Sequence, residues 1–265
     1  MDGQRARRMG RARAVLLARY GRRILFDTGA SGTVLAHNAQ ALGIDLAKAD
    51  AIVLSHGHLD HVGGLETALK LAPEAPLFMH PDAPRPKFTG QPGKVRRSDS
   101  PYFIARQYRD GGRRIVESRV PVEVAPNVWM TGEVPRTNDF ETTGGPFFMD
   151  MERTTPDPLP DDQSLYIPTD KGTIVILGCA HAGLVNTLDY VQRLTHGAPI
   201  RFVMGGTHLE SASPERMEKT FAALKRLGVT TVHPCHCTGM TQSVKLCEAV
   251  GGESKPAYAG FKVEW

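Results

Sequence analysis

Short apolar runs alternate along most of the chain with segments whose apolar positions recur at helical spacing. Residues 14–18 and 23–26 predict two strands joined by a hairpin turn at Tyr20-Gly21. Residues 34–42 predict a helix stopped by Gly43, and 51–54 form an apolar run suited to a buried strand ending at Ser55. A helix over 65–71 ends before Pro73, and a strand follows at 76–79. Further on, strands are predicted at 128–131, 164–167, 173–177, 200–204, 230–232 and 258–263, and helices at 184–194, 214–227 and 241–250. Two stretches, 81–120 and 132–162, are rich in proline, glycine or arginine and show no clean period, apart from a turn signal at Asp110-Gly111-Gly112. Irregular segments this long are usually lids over a site or disordered. The pattern gives two β/α halves around an irregular middle. It predicts an α/β protein in which two packed sheets are covered outside by helices, as one domain over 1–265.

Composition changes this picture little. No apolar run approaches membrane-spanning length, and the basic start lacks the apolar stretch of a secretory signal, so a soluble cytoplasmic protein is expected. Four cysteines are too few and too unevenly placed for a disulfide framework. The formal net charge of +4 comes from residues 1–23, which hold eight arginines and one acid. The remainder is slightly acidic. The arginine-rich start is expected to be a frayed terminus, and no basic stripe with interleaved aromatics stands elsewhere, which argues against nucleic acid as the partner.

Chemistry concentrates at Ser55-His56-Gly57-His58-Leu59-Asp60-His61. Three histidines and an aspartate follow an apolar strand, so a tight turn would gather their side chains at one point. Imidazole and carboxylate donors suit zinc, and also manganese or iron. His56 and His58 can reach one ion while Asp60 and His61 reach a second. Two ions at that spacing can clamp the attacking and leaving oxygens of a displacement. Later strands end in Gly178-Cys179-Ala180-His181, Gly205-Gly206-Thr207-His208 and Cys235-His236-Cys237, each carrying a histidine to a strand end. His181 and His236 are the further expected ligands. His208 is divided between ligand and substrate contact, and Cys179 between soft ligand and small buried hydrophobe. His37, His80, His196 and His233 lack such context and are expected to be bystanders.

The segment His56-Gly57-His58-Leu59-Asp60-His61 resembles the HxHxDH signature of the metallo-β-lactamase superfamily, and Phe26-Asp27-Thr28-Gly29 is similar to that family's strand-ending Asp-Thr-Gly. The resemblance implies a four-layer αββα sandwich with two metal ions at the edge between the sheets. It also implies that Asp27 braces the metal histidines. Thr131-Gly132-Glu133-Val134-Pro135-Arg136, Asp161-Asp162-Gln163-Ser164-Leu165, Gly178–Gly183, Gly205–Leu209 and His236-Cys237-Thr238-Gly239 look like the 7,8-dihydropterin-6-methyl-4-(β-D-ribofuranosyl)-aminobenzene-5′-phosphate synthase branch of that superfamily. Where hydrolytic relatives carry a Gly-His-Thr turn, this chain has Asp161-Asp162-Gln163-Ser164, which counts against β-lactamase or thioesterase activity.

The resemblance implies a small phosphorylated substrate, pterin-like or otherwise heteroaromatic. Arg136 is the candidate for pairing with its phosphate, and Phe140, Phe147 and Phe148 for walling the pocket; Asp60, Asp162 and His208 are the catalytic candidates, with Asp162 or His208 for proton transfer. Three readings stay open: a synthase joining a pterin to an aryl riboside phosphate, a metal-dependent hydrolase of phosphodiesters or related esters, and a non-catalytic metal-bound sensor. A homo-oligomer is compatible with all three.

Overall fold

The computed structural model describes residues 14–99 and 114–264. The arginines of residues 1–13 and the turn expected at Asp110-Gly111-Gly112 lie outside the described residues. In the first half the chain runs β1 (Val15–Arg19), β2 (Arg22–Phe26), α1 (Gly32–Ala41), β3 (Ala51–Val53), α2 (Leu59–Val62), α3 (Leu65–Leu71), β4 (Leu77–Met79), β5 (Phe88–Thr89), β6 (Arg96–Arg97) and β7 (Ile115–Glu117). The second half continues with β8 (Val122–Ala125), β9 (Val128–Met130), β10 (Phe147–Phe148), β11 (Ser164–Ile167), β12 (Thr173–Leu177), α4 (Leu184–Leu194), β13 (Ile200–Gly206), α5 (Pro214–Arg226), β14 (Thr231–Cys235) and α6 (Met240–Val250).

Two sheets carry the fold. One has the order β1-β2-β3-β4-β7 and the other β14-β13-β12-β11-β9-β8. After the β1–β2 hairpin, β2, β3, β4 and β7 are mutually parallel neighbours, as are β12, β13 and β14. Parallel neighbours end at the same edge, so the segments following β2 and β3, and those following β12, β13 and β14, are brought together. Between the sheets lies a core of Leu17, Ile24, Phe26, Val53, Phe78 from one and Met130, Leu165, Ile167, Ile174, Phe202 from the other. The outer face of the first sheet is covered by α1 and α3 through Leu35, Leu65 and Leu69, and that of the second by α4, α5 and α6 through Leu188, Leu224 and Leu246. This is the expected four-layer αββα sandwich. Strands buried on both faces need apolar residues at successive positions, which is why β3 and β12 read as unbroken apolar runs rather than alternating ones.

Three differences from the sequence expectation stand out. The stretch 81–120 contributes β7 to the edge of the first sheet, and its β5 and β6 join β10 in a small third sheet. Before β9, the unforeseen β8 closes the edge of the second sheet. Residues 258–263 form no strand. The tail instead lies along β14 through two bonds, Lys255 N to Val232 O and Ala257 N to Pro234 O, then turns where Phe261 N donates to Tyr258 O. Its apolar spacing serves packing of the Phe261 ring on His233, 4.8 Å between centroids. No helix among the described residues is long and apolar enough to cross a membrane.

Candidate metal centre

Asp27 directly follows β2 and holds an unusual backbone φ of 62°. That conformation turns its carboxylate toward the end of β3. Oδ1 accepts the Ser55 N–H at 2.7 Å, and Oδ2 lies 2.7 Å from both Ser55 Oγ and His61 Nδ1. Thr28 grips the other end of the same histidine, with N and Oγ1 both donating to His61 O at 2.7 and 2.9 Å. The His61 ring is thus fixed with Nε2 pointing away from Asp27. Ser55 Oγ also lies 2.8 Å from His56 Nδ1, so the same small network orients a second ring.

Several overlapping donor groups result, and two of them together take in all of His56, His58, Asp60 and His61. His56, His58 and His181 form one, with His56 Nε2 3.0 Å from His58 Nδ1. The other gathers Asp60, His61 and His236, with 3.2 Å between the two Nε2 atoms and Asp60 Oδ2 at 3.7 and 3.5 Å from them. Cys179 Sγ lies 3.1 Å from both His61 Nε2 and His236 Nε2, and it also groups with His56 and with His181 and His208, so the buried sulfur stands between the two sets. Asp27, Ala180, His208 and His236 all adopt left-handed backbone conformations, costing on the order of 1 kcal/mol or more each. Asp27 and His236 directly follow β2 and β14, and Ala180 stands between Cys179 and His181.

The donors fit divalent cations. His181 Nε2 is buried with no hydrogen-bond partner, while its Nδ1 is engaged by Thr143 O at 2.8 Å. A lone pair buried that way is costly unless an acceptor of electrons fills the space. Burial holds the pKa values of His56 and His181 well below the usual histidine value, with neighbouring histidines adding to the effect. Both rings are therefore neutral, the form that binds metal. Burial pushes the Cys179 thiol well up, with Cys237 beside it.

A buried ion network holds the ligand loop. Asp161 Oδ2 accepts the Gly57 N–H between His56 and His58 at 2.8 Å, and Oδ1 takes Lys87 Nζ at 2.8 Å. Lys87 is 2% exposed and also lies 3.5 Å from Asp157. Burial alone would lower its pKa, but Asp161 and Asp157 more than offset this and raise it. Asp162 Oδ2 accepts Ala182 N at 2.9 Å, and burial pushes its pKa up to about 6. Gln163 donates from Nε2 to Leu54 O and from its backbone to Ser55 O. The Asp161-Asp162-Gln163 segment therefore staples the end of β3 to the turn after β12.

The stretch 132–162 lies across the site. Glu141 accepts Val185 N and Asn186 N at 2.9 and 2.8 Å, capping α4, whose own N-cap Gly183 has no side chain. Asn186 Oδ1 in return takes the backbone N–H groups of Thr137 and Asn138. So anchored, the stretch sets Phe147 against His58 and His181, with ring centroids 4.8 and 4.9 Å away. His208 stacks on His181 at 4.1 Å. Phe140 and Phe148 are engaged elsewhere, beside Lys219 and Arg153. Arg136 is also placed otherwise than expected: Nη1 donates to His181 O at 2.7 Å and Nη2 to Pro158 O, so its guanidinium braces the His181 turn. Among the expected bystanders, His37 and His196 lie apart from the donor sets. His80 is buried in an ion cluster with Asp82, Arg119 and Glu133, and His233 donates toward Lys255 O.

Sequence reasoning missed Lys87 and Glu141, and gave Cys237 no role. Cys237 lies with Cys179 and His236, and its Sγ accepts the His208 N–H at 3.4 Å. Its position next to His236 was the available signal; a lone lysine in a proline-rich stretch offered none.

The sequence profile of the metallo-β-lactamase superfamily matches residues 9–236. A 7,8-dihydropterin-6-methyl-4-(β-D-ribofuranosyl)-aminobenzene-5′-phosphate synthase of Methanocaldococcus jannaschii is 32% identical over 244 residues, covering 90% of this chain and 83% of that protein. A hydroxyacylglutathione hydrolase of Aeromonas salmonicida is 43% identical over 68 residues, 26% of this chain and 25% of that protein. The solved structure of a metal-dependent hydrolase of the β-lactamase superfamily aligns with a TM-score of 0.76 at 33% identity, covering 91% of this chain and 88% of that one.

Proposed function

Because the chain belongs to the metallo-β-lactamase superfamily, we propose that its two donor sets hold a pair of divalent cations and that it is a metal-dependent enzyme acting on a small phosphorylated substrate. His56, His58 and His181 would hold one ion; Asp60, His61, His236 and Cys179 the other. Nitrogen, oxygen and sulfur donors together favour zinc over the harder cations. Bound ions supply Lewis acidity toward a phosphoryl oxygen and toward water. The carrying observation is the convergence of both donor sets from the ends of separate strands onto neighbouring points.

The chain's own groups complete the work. Asp27 and Ser55 fix the rings of His61 and His56, so the donors need no reorganisation when the substrate arrives. Phe147 shields His58 and His181 from bulk water and offers a face for a heteroaromatic ring. His208, partly exposed beside His181 and Phe147, would pass a proton to the leaving atom, whereas Asp162 is shut behind the His181 turn.

Similarity to the methanogen synthase along most of both chains supports a transfer reaction in which a dihydropterin is joined to an aminobenzene riboside phosphate. Similarity to the metal-dependent hydrolase supports a second reading, hydrolysis of a phosphodiester or related ester. Incubating the metal-replete protein with a dihydropterin diphosphate and an aminobenzene riboside phosphate, beside a simple aryl phosphodiester, separates them. Coupled product with release of diphosphate is expected for the first. Cleavage of the diester without a second substrate would favour the hydrolase. Metal analysis showing no ion, with no turnover on either, would sink both.

A further inference from the structure

Arg216, in the first turn of α5, is 8% exposed, yet Nε and Nη2 are buried without a hydrogen-bond partner. Its Nη1 reaches Thr142 Oγ1 at 3.3 Å. Glu141 is the neighbouring carboxylate, but its oxygens are committed to the N–H groups of Val185, Asn186 and Asn138. A guanidinium carries five donors and cannot shed its charge by losing a proton in the usual range. Burying it with donors unmet is expensive, and a fold tolerates this where the unmet group is kept for something else.

The loop that Arg216 touches is the one that lies on the candidate centre. Thr142 Oγ1 also accepts the Gly144 N–H at 3.3 Å, and Thr143 O engages His181 Nδ1. Gly144 packs so closely on His208 that an added Cβ would come within 2.6 Å of its Nδ1. Arg216 is thus separated from His181 and His208 by one short, partly exposed loop segment. Arg136, the arginine the sequence suggests for a phosphate, has Nη1 and Nη2 committed to backbone carbonyls.

From this we infer that Arg216 is the anion-binding residue of the site, taking the phosphate monoester of the substrate through Nε and Nη2 once the 142–144 segment shifts aside. Those two nitrogens lie on one edge of the guanidinium, the edge that pairs with two phosphate oxygens. The inference rests on the reading of the site as one for a phosphorylated substrate. It assigns the phosphate to a residue of α5 that is separate from both donor sets.

The test uses the full-length protein, as purified and after EDTA treatment, with phenyl phosphate as the probe in isothermal titration. Wild type is expected to bind it in the EDTA-treated form. Arg216→Met should weaken that binding at least tenfold, and Arg216→Lys by less, since the charge stays and the planar fork goes. Ion content by mass spectrometry should be unchanged in both. Because Arg216→Met removes an unsatisfied buried cation, its melting temperature should equal or exceed that of wild type; should it fail to fold, Arg216→Gln takes its place. Equal affinity in wild type and a folded variant would overturn the inference, as would benzoate binding wild type as tightly as phenyl phosphate. Should the protein hold no ion while Arg216→Met still loses phenyl phosphate, the metal reading fails and the anion site stands.

Discussion

Asp27 is held in a left-handed conformation that asparagine tolerates well and alanine poorly. The two substitutions therefore separate charge from backbone. Asp27→Asn keeps the turn and removes the charge beside His61 Nδ1. It is expected to weaken cation binding at the Asp60–His61–His236 set ten- to a hundredfold, as loss of a bracing carboxylate does. Metal analysis after dialysis against graded chelator should show that ion lost before the one at His56, His58 and His181. Asp27→Ala should add a stability loss of about 1 kcal/mol. Lys87 makes a different case. Replacing it by methionine leaves Asp161 and Asp157 buried without their cation, which should cost about 3–5 kcal/mol in urea unfolding. Restoring part of that loss with Asp161→Asn would assign it to the stranded charge; no loss at all would remove the buried pair from the account of the ligand loop. The HxHxDH residues were legible in the sequence because a metal site needs particular donor types at close spacing. Lys87 was not, because burial of a lysine depends on carboxylates seventy and more positions away.

At the scale of elements, strands announced themselves wherever burial on both faces forced continuous apolar runs, as in β3 and β12. Strands of two or three residues at sheet edges, such as β7 and β10, carry too little pattern to read. Strand-end histidines could be located, but which of them converge depends on parallel pairing within each sheet, which local sequence does not encode. The 132–162 stretch read as irregular because it is one. Its order comes from Glu141 and Asn186 exchanging bonds between the stretch and the start of α4. A carboxylate capping a helix this way contributes about 1–2 kcal/mol. Glu141→Ala is expected to lower stability by that amount and to speed amide exchange in residues 137–148. Unchanged exchange there would mean that the stretch is anchored by something other than this cap.

For the molecule as a whole, ions bound only by the folded state would stabilise it by mass action, about 2.7 kcal/mol at a hundredfold excess over the dissociation constant. EDTA should therefore lower the melting temperature, and added zinc should restore it. A melting curve indifferent to both would contradict paired cations. Acid should act as well. Burial lowers the pKa values of His80 and His233 below the ordinary 6.5, so the unfolded chain binds protons there more readily. That stability is complete above about pH 6.5 and is lost as pH falls beneath it. Urea midpoints should drop between pH 7 and pH 5, and less so in His233→Gln. One contact between the two halves is especially close. At Gly178, after β12, an added Cβ would stand 2.2 Å from Ser55 Oγ, after β3. The close approach of the two halves at the edge that carries the donor sets thus depends on the absence of a side chain at Gly178. Even alanine there would wedge the sandwich open along its working rim, spreading the histidines of one half from those of the other without altering any of them.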